Sequence, residues 1–314
     1  MKKIIAVLLA VIIALCTMSA CANTVHKDGK INIVTTVFPI FDWARELTEN
    51  VDNVEVTYLL NNGVDMHSYQ PSVDDIVSVS TADMLIYVGG ESDEWIDDAL
   101  REAVNTDIVT VNLIDLLGES AKAEETVEGM QDGGDDGIDE HVWLSISNAE
   151  KCVTAISASL SSIDPENSEK YSKSATDYLK KLDNLRDKFS KAIDRSEYDT
   201  VVFADRFPFR YLFDDFGLKY FAAFSGCSAE TEANFDTIMF LANKLDELGI
   251  GSIVQTETAD GSIAKTIREA TRSKNQKILT LNSMQSVSHY DLTNGTTYLS
   301  IMKDNLNVLN KALN

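Results

Sequence analysis

From residue 31 onward, short runs of β-branched and apolar residues alternate with stretches whose apolar positions recur at three and four. The runs Ile31–Val37, Val54–Leu60, Met84–Val88 and Ile108–Leu113 predict strands. Each is followed by a helix-like segment: Phe41–Glu49, Val73–Ser80, Glu94–Val104 and Asn148–Ser161. Strands that alternate with helices predict βαβ units and a parallel sheet.

From Pro165 to Ser196 the pattern changes, with no glycine and no further proline. Tyr171, Ala175, Tyr178, Leu182, Leu185, Phe189 and Ile193 recur at helical spacing. Asp164 is placed to cap this helix and Pro165 to open it. Some thirty residues at about 1.5 Å each make a rod about 45 Å long. The alternation then resumes. Strands are expected at Thr200–Ala204, Lys219–Phe224, Ser252–Thr256 and Lys277–Leu281, and helices at Phe209–Phe216, Phe235–Leu248, Ser262–Arg272 and Thr297–Leu313. The predicted fold is therefore α/β. Two Rossmann-like lobes with parallel sheets, residues 31–163 and 198–314, are joined by one long rigid helix over 164–197. The segment Glu119–Glu140, rich in Glu, Asp and Gly, reads as a mobile surface loop.

The N-terminus adds an address to this plan. Lys2 and Lys3 precede an apolar run, Ile4–Leu15, of signal-peptide length and too short to span a membrane. Met18-Ser19-Ala20-Cys21 then matches a bacterial lipobox. Residues 1–20 are expected to be removed and Cys21 lipidated, with 21–30 as a polar tether to the outer leaflet. The whole chain carries a formal charge of −23. That excludes a basic nucleic-acid-binding surface and permits a cation-binding role without demonstrating one. Cys152 and Cys227 would remain after processing. Their predicted places, a helix and a loop in different lobes, favour two free thiols.

Four histidines are present. His26 lies in the tether and His289 in a loop before the last helix, where a surface role is expected. His67 follows the second strand directly, and His141 follows the fourth. In open α/β sheets ligands gather beyond the C-terminal strand ends, so these two can converge from one lobe. Neutral imidazole suits zinc and other transition metals. On the residues taken singly, an exposed surface histidine explains each as well.

The motifs decide between those readings. They are "DMHSYQPSVDDI" at 65–76, "TADMLIYVGG" at 81–90, "DEW" at 93–95, "DEHVWLSISNA" at 139–149 and "YSKSATDYLKKLDNL" at 171–185. "RYLFDDFGL" at 210–218 and "YLSIMKDNLNVLNKAL" at 298–313 continue the series. Over nearly the whole mature chain the sequence resembles the solute-binding lipoproteins of zinc and manganese ABC transporters, the ZnuA/TroA-like family. The resemblance implies two lobes around a long helix, His67 and His141 as metal ligands, and a permease and ATPase as partners. It implies capture of a metal outside the cytoplasm by a non-enzymatic, monomeric protein.

The C-terminal lobe departs from the family pattern. Where the family carries a third histidine, or a glutamate in its manganese branch, "VVFADRFPFRYLF" places Arg206. Arginine offers no acceptor and stays charged, so it cannot ligate a metal. Asp205, one residue earlier, is the expected substitute. The family's aspartate after the last strand is also missing, since "LTLNSMQSVS" offers only Asn282, Ser283 and Gln285. Glu257, at the end of "SIVQTE", is the candidate from the neighbouring strand end. Glu230 and Glu232 in "GCSAETEAN" are further candidates, and Cys227 there reads first as a small residue in a tight turn. Imidazoles with carboxylates suit Zn2+ or Mn2+, and zinc is favoured. A secreted metallohydrolase or a surface adhesin with a structural metal are the rivals. The first would bring a compact motif such as H-E-x-x-H, which is absent.

Overall fold

The structure is a computed structural model that describes residues 29–131, 137–228 and 232–314. Cys21, His26 and Glu230 lie outside the described residues, as does the expected signal segment. The first lobe contains β1 (Ile31–Thr35), α1 (Phe38–Thr48), β2 (Val54–Tyr58), α2 (Val73–Thr81), β3 (Met84–Tyr87), α3 (Trp95–Arg101), β4 (Val109–Asn112), α4 (Leu113–Leu117) and α5 (Ile146–Ile163). α6 (Ser168–Ile193) follows. The second lobe contains β5 (Thr200–Phe207), α7 (Arg210–Phe216), β6 (Lys219–Ser225), α8 (Phe235–Leu248), β7 (Ser252–Thr256), α9 (Ser262–Ala270), β8 (Lys277–Leu281), α10 (His289–Thr293) and α11 (Tyr298–Ala312).

Both sheets are parallel and share one strand order, β2-β1-β3-β4 and β6-β5-β7-β8. In each, the order reverses beside the first strand of the lobe, the place where open sheets of this kind leave a ligand crevice. The inner strands are buried on both faces: Met84, Leu85 and Ile86 in β3, and Val201, Val202 and Phe203 in β5. This is why they read as continuous apolar runs rather than as alternation.

Several boundaries differ from expectation, each for a local reason. α1 begins three residues before Phe41, because Pro39 in its first turn presets a helical φ. Leu113–Leu117 is a helix rather than a strand end, started by the Asn112 side chain accepting from Asp115 N at 3.1 Å. Asp164 does not cap the long helix. Pro165–Asn167 forms a separate 3₁₀ turn, and Asp164 Oδ2 accepts from Asn167 Nδ2 and Tyr171 Oη, both at 2.8 Å. The α-helix proper has 26 residues, about 39 Å. β5 runs past Ala204 to Phe207, with a bulge between Phe203 and Arg206.

α6 packs on α1 and α5 of one lobe, on α7 of the other, and on α11. One hydrophobic core runs through both lobes and these helices. Trp143 and Trp43 are fully buried in it. Truncating such a side chain to alanine costs roughly 3–5 kcal/mol. Hydrogen bonds also cross between the lobes. Trp143 Nε1 donates to Ser283 O, Tyr298 Oη to Trp143 O and Tyr58 Oη to Val287 O, each at 2.9 Å. Tyr298 N donates to the buried Asp42 Oδ2 at 2.8 Å.

The acidic segment makes specific contacts where it is described, unlike the mobile surface loop expected. Ala123 and Ile138 bridge its two arms, Gln131 N donates to Ala223 O at 2.9 Å, and Lys122 N donates to Tyr211 Oη at 2.8 Å. Its polar composition hid the backbone pairing that holds it on the second lobe.

Candidate metal centre

His67 sits in a 3₁₀ turn, Met66–Ser68, in the loop after β2. Asp65 opens that turn: its Oδ1 accepts from His67 N at 3.0 Å. The other oxygen accepts from Arg206 Nη2 at 2.6 Å. Burial alone would raise Asp65, but the Arg206 guanidinium overrides it and holds the carboxyl below its usual range. His141 is fully buried after β4, edge-on to Trp143 with ring centroids 5.4 Å apart.

The ring nitrogens converge. His67 Nε2 and His141 Nε2 stand 3.1 Å apart. Asp139 Oδ1 accepts from the His141 backbone N at 2.9 Å and from its Nδ1 at 2.7 Å. A carboxylate accepts only, so Nδ1 carries the proton and Nε2 keeps a lone pair. His67 Nδ1 lies 3.0 Å from Ser92 Oγ, which donates to Glu140 Oε2 at 2.5 Å. With Glu140 ionised, that hydroxyl has spent its proton, so His67 Nδ1 is the donor and its Nε2 keeps a lone pair. The two Nε2 atoms face one another, and His141 Nε2 accepts from Gln285 Nε2 at 2.8 Å, a hydrogen bond that a metal ion held at this point would replace. Two nitrogens on one tetrahedral zinc, at bonds of 2.0–2.1 Å, stand about 3.3–3.4 Å apart. The donor set thus fits a transition metal, with both rings oriented through their second nitrogen as metal-binding histidines are.

Burial lowers His141 to about 4, reinforced by Arg206 and opposed by Glu124, so the ring is neutral and ready to ligate above that pH. Burial raises Glu140 to about 7. A cation at the histidines would favour its ionised form. Gly90, at φ +80°, leaves the room Glu140 fills.

Asp205 and Glu257 are not drawn into this cluster, and the reason is local. Asp205 lines a 460 Å³ cleft with Asp65, His67 and Arg206, but its Oδ2 accepts from Thr256 Oγ1, and from Thr256 N at 3.2 Å. Glu257 accepts from Ser283 N and Oγ, both at 2.8 Å, and burial raises its pKa. It reaches His141 only indirectly. Ser283 Oγ contacts Gln285 Oε1 at 2.9 Å, and Gln285 Nε2 meets His141 Nε2 at 2.8 Å. Glu232 and His289 are exposed. Cys152, buried in α5, and Cys227 are both free thiols.

Among the described residues, the side chains that gather at ligand range are His67, His141 and Cys227, and around His141 also Glu124 and Asp139. Sequence reasoning did not single out Asp139, Ser92 or Glu124, and it named Gln285 only as a residue standing where the family's aspartate is missing. Asp139 alone had a legible signal, an acid two residues before the histidine in "DEHVW".

Residues 33–312 match the family described as "Zinc-uptake complex component A periplasmic". The chain belongs to this family. The chain is similar to the zinc-binding lipoprotein AdcA of Streptococcus pneumoniae, strain R6, at 31% identity over 98% of this chain. The chain spans 60% of that protein's length. The high-affinity zinc uptake system protein ZnuA of Bacillus subtilis is 27% identical over 96% of both chains. Among solved structures, the zinc-bound ZnuA-like domain of S. pneumoniae AdcA superposes with a TM-score of 0.72 at 26% identity, covering 91% of this chain and 99% of that one. The metal-dependent lipoprotein YcdH of B. subtilis gives 0.73 at 26% identity, covering 90% and 99%. Two parallel four-stranded sheets with a long helix are thus the architecture of this family.

Proposed function

We propose that this chain is the extracytoplasmic binding component of an ABC importer. It captures a divalent transition metal between its lobes and delivers it to a membrane permease driven by an ATPase. Zinc is the favoured cargo, because imidazole nitrogen suits it and it stands above manganese in intrinsic affinity. The names of the AdcA and ZnuA relatives point the same way. His67 and His141 are the ligands of the first lobe. Asp205 and Glu257 act behind the ligands as negative charge that a bound dication requires. The chain works as a monomer and as a binding protein rather than an enzyme. It is held at the membrane by lipid on Cys21, with residues 21–30 as tether, 31–163 and 198–314 as metal-binding lobes and 164–197 as linker.

The observation that supports the reading is the convergence of His67 Nε2 and His141 Nε2 to 3.1 Å, with the opposite nitrogens engaged by Ser92 and Asp139. Calorimetric titration of the full chain in detergent with zinc and with manganese tests it. Tight zinc binding, lost in His67→Ala and in His141→Ala, is expected. Parent-like affinity in both variants would refute the reading.

A further inference from the structure

The geometry points to Cys227 as a third, sulfur ligand from the second lobe, which makes the site one for a borderline or soft metal bound by two imidazoles and a thiolate. The inference rests on the metal-binding role proposed above and specifies its ligand set.

His67 Nε2 or Nδ1, a His141 ring nitrogen and Cys227 Sγ all lie within 4.8 Å of one another. On one tetrahedral zinc, nitrogen and sulfur stand about 3.6 Å apart. Separations of up to 4.8 Å have to tighten by about an ångström for the sulfur and the nitrogens to share one ion. Three features hold the turn after β6 in place. Glu124 Oε1 accepts from Cys227 N at 3.0 Å, and its Oε2 accepts from Gly226 N at 3.3 Å. Gly226 itself makes the approach possible: a Cβ there would lie 3.0 Å from Phe207 O and 3.1 Å from His141 Nδ1. The third is the pairing of the acidic segment with the second lobe, which carries Glu124 to the turn.

Among the described residues of the second lobe, Gln285 reaches His141 Nε2 through its amide nitrogen, which donates and cannot ligate. Arg206 is engaged with Asp65, and Asp205 and Glu257 are engaged with Thr256 and Ser283. A thiol beside Glu124 and Asp139 stays protonated in the metal-free protein, and a bound dication displaces that proton to solvent as the metal–sulfur bond forms. Thiolate also discriminates against manganese, which prefers oxygen donors. Cys227 would thus set the choice of metal, and His67 and His141 its anchorage.

Cobalt(II) is the probe, added to the full chain in detergent and followed by absorption spectroscopy. We expect visible ligand-field bands of a tetrahedral ion together with a sulfur-to-cobalt charge-transfer band in the near ultraviolet. Cys227→Ser should lose the charge-transfer band and keep the visible bands. Gly226→Ala, which pushes the turn away without touching the sulfur, should weaken it. Visible bands with no charge-transfer band in the parent would overturn Cys227 as a ligand and leave the histidine site standing. A charge-transfer band that persists in Cys227→Ser would also overturn it, since the sulfur would then come from another cysteine. No cobalt bands at all would overturn both this inference and the metal-binding reading beneath it.

Discussion

The two lobes share a strand order but not a chemistry. At the strand ends of the first, His67 and His141 are buried or half-buried, fixed by Ser92 and Asp139, and aimed at one point. At the strand ends of the second, an arginine is turned to an ion pair with Asp65, and two acids are occupied by hydroxyl neighbours. The difference teaches that a repeated scaffold fixes where a ligand can bind but not which side supplies the binding energy. The first lobe is organised in advance as the anchor. The second supplies charge, a closing turn and restraint.

The sharpest test of that asymmetry compares single removals across the cleft. His67→Ala and His141→Ala should each lower zinc affinity by at least ~100-fold, beyond the 10–100-fold typical of losing an outer-shell partner. Asp205→Ala and Glu257→Ala should stay within about tenfold. An acid that costs as much as a histidine in calorimetric titration breaks the comparison.

A second test needs no metal. Burial lowers His141 to about 4, from 6.5 in the unfolded chain. Between those values the unfolded state holds a proton that the folded state does not. Stability from this residue therefore falls as pH drops from 6.5 toward 4, by ~3 kcal/mol in total. Glu140, raised to about 7, runs the other way: it favours the folded state at low pH and loses that contribution as pH rises from 4.5 through 7. Denaturant unfolding of the parent against His141→Gln isolates the histidine. The variant should gain relative to the parent on acidification across that window. A constant difference would mean that His141 is not desolvated as described.

Smaller effects sharpen the picture. Asp139→Asn keeps the shape but no longer enforces the Nδ1–H form of His141, and should cost ~10–100-fold in zinc affinity with little change in folding. Arg206→Gln removes a cation that opposes a bound dication. It should raise affinity slightly, by about 0.5–1 kcal/mol, and the gain should shrink with added salt. A loss of affinity in that variant would show that the Asp65 ion pair positions His67 and matters more than its charge.

The alternation of apolar runs and amphipathic segments carried the fold, because strands buried on both faces read as continuous apolar runs and helices with one buried stripe as a three-to-four repeat. Tyr171 to Phe189, buried along α6, shows how directly that pattern reads. The boundaries at Pro165 and Ala204 did not read correctly. A 3₁₀ turn and a bulge are decided by tertiary partners such as Tyr171 and β6, not by the local sequence. The site divides in the same way. His67 and His141 were legible through motif and position. The engagement of Asp205 by Thr256 and of Glu257 by Ser283 was not, because hydroxyl partners leave no spacing signal. Cys227 was set aside as a turn residue, and it is one. Only the fold shows that the turn lies against His141.

The hydrogen bonds of Trp143, Tyr298 and Tyr58 tie the two lobes together. Parting the lobes would break all three, at a net 0.5–1.5 kcal/mol or so each, and would expose the aromatic core beneath them. In the proposed role, dwell time is therefore governed by small local gates, the turns at 66–68 and 226–228, and not by whole-body breathing. Loaded and empty molecules would present almost the same silhouette to a membrane partner. In that role the partner would sense cargo through those two turns.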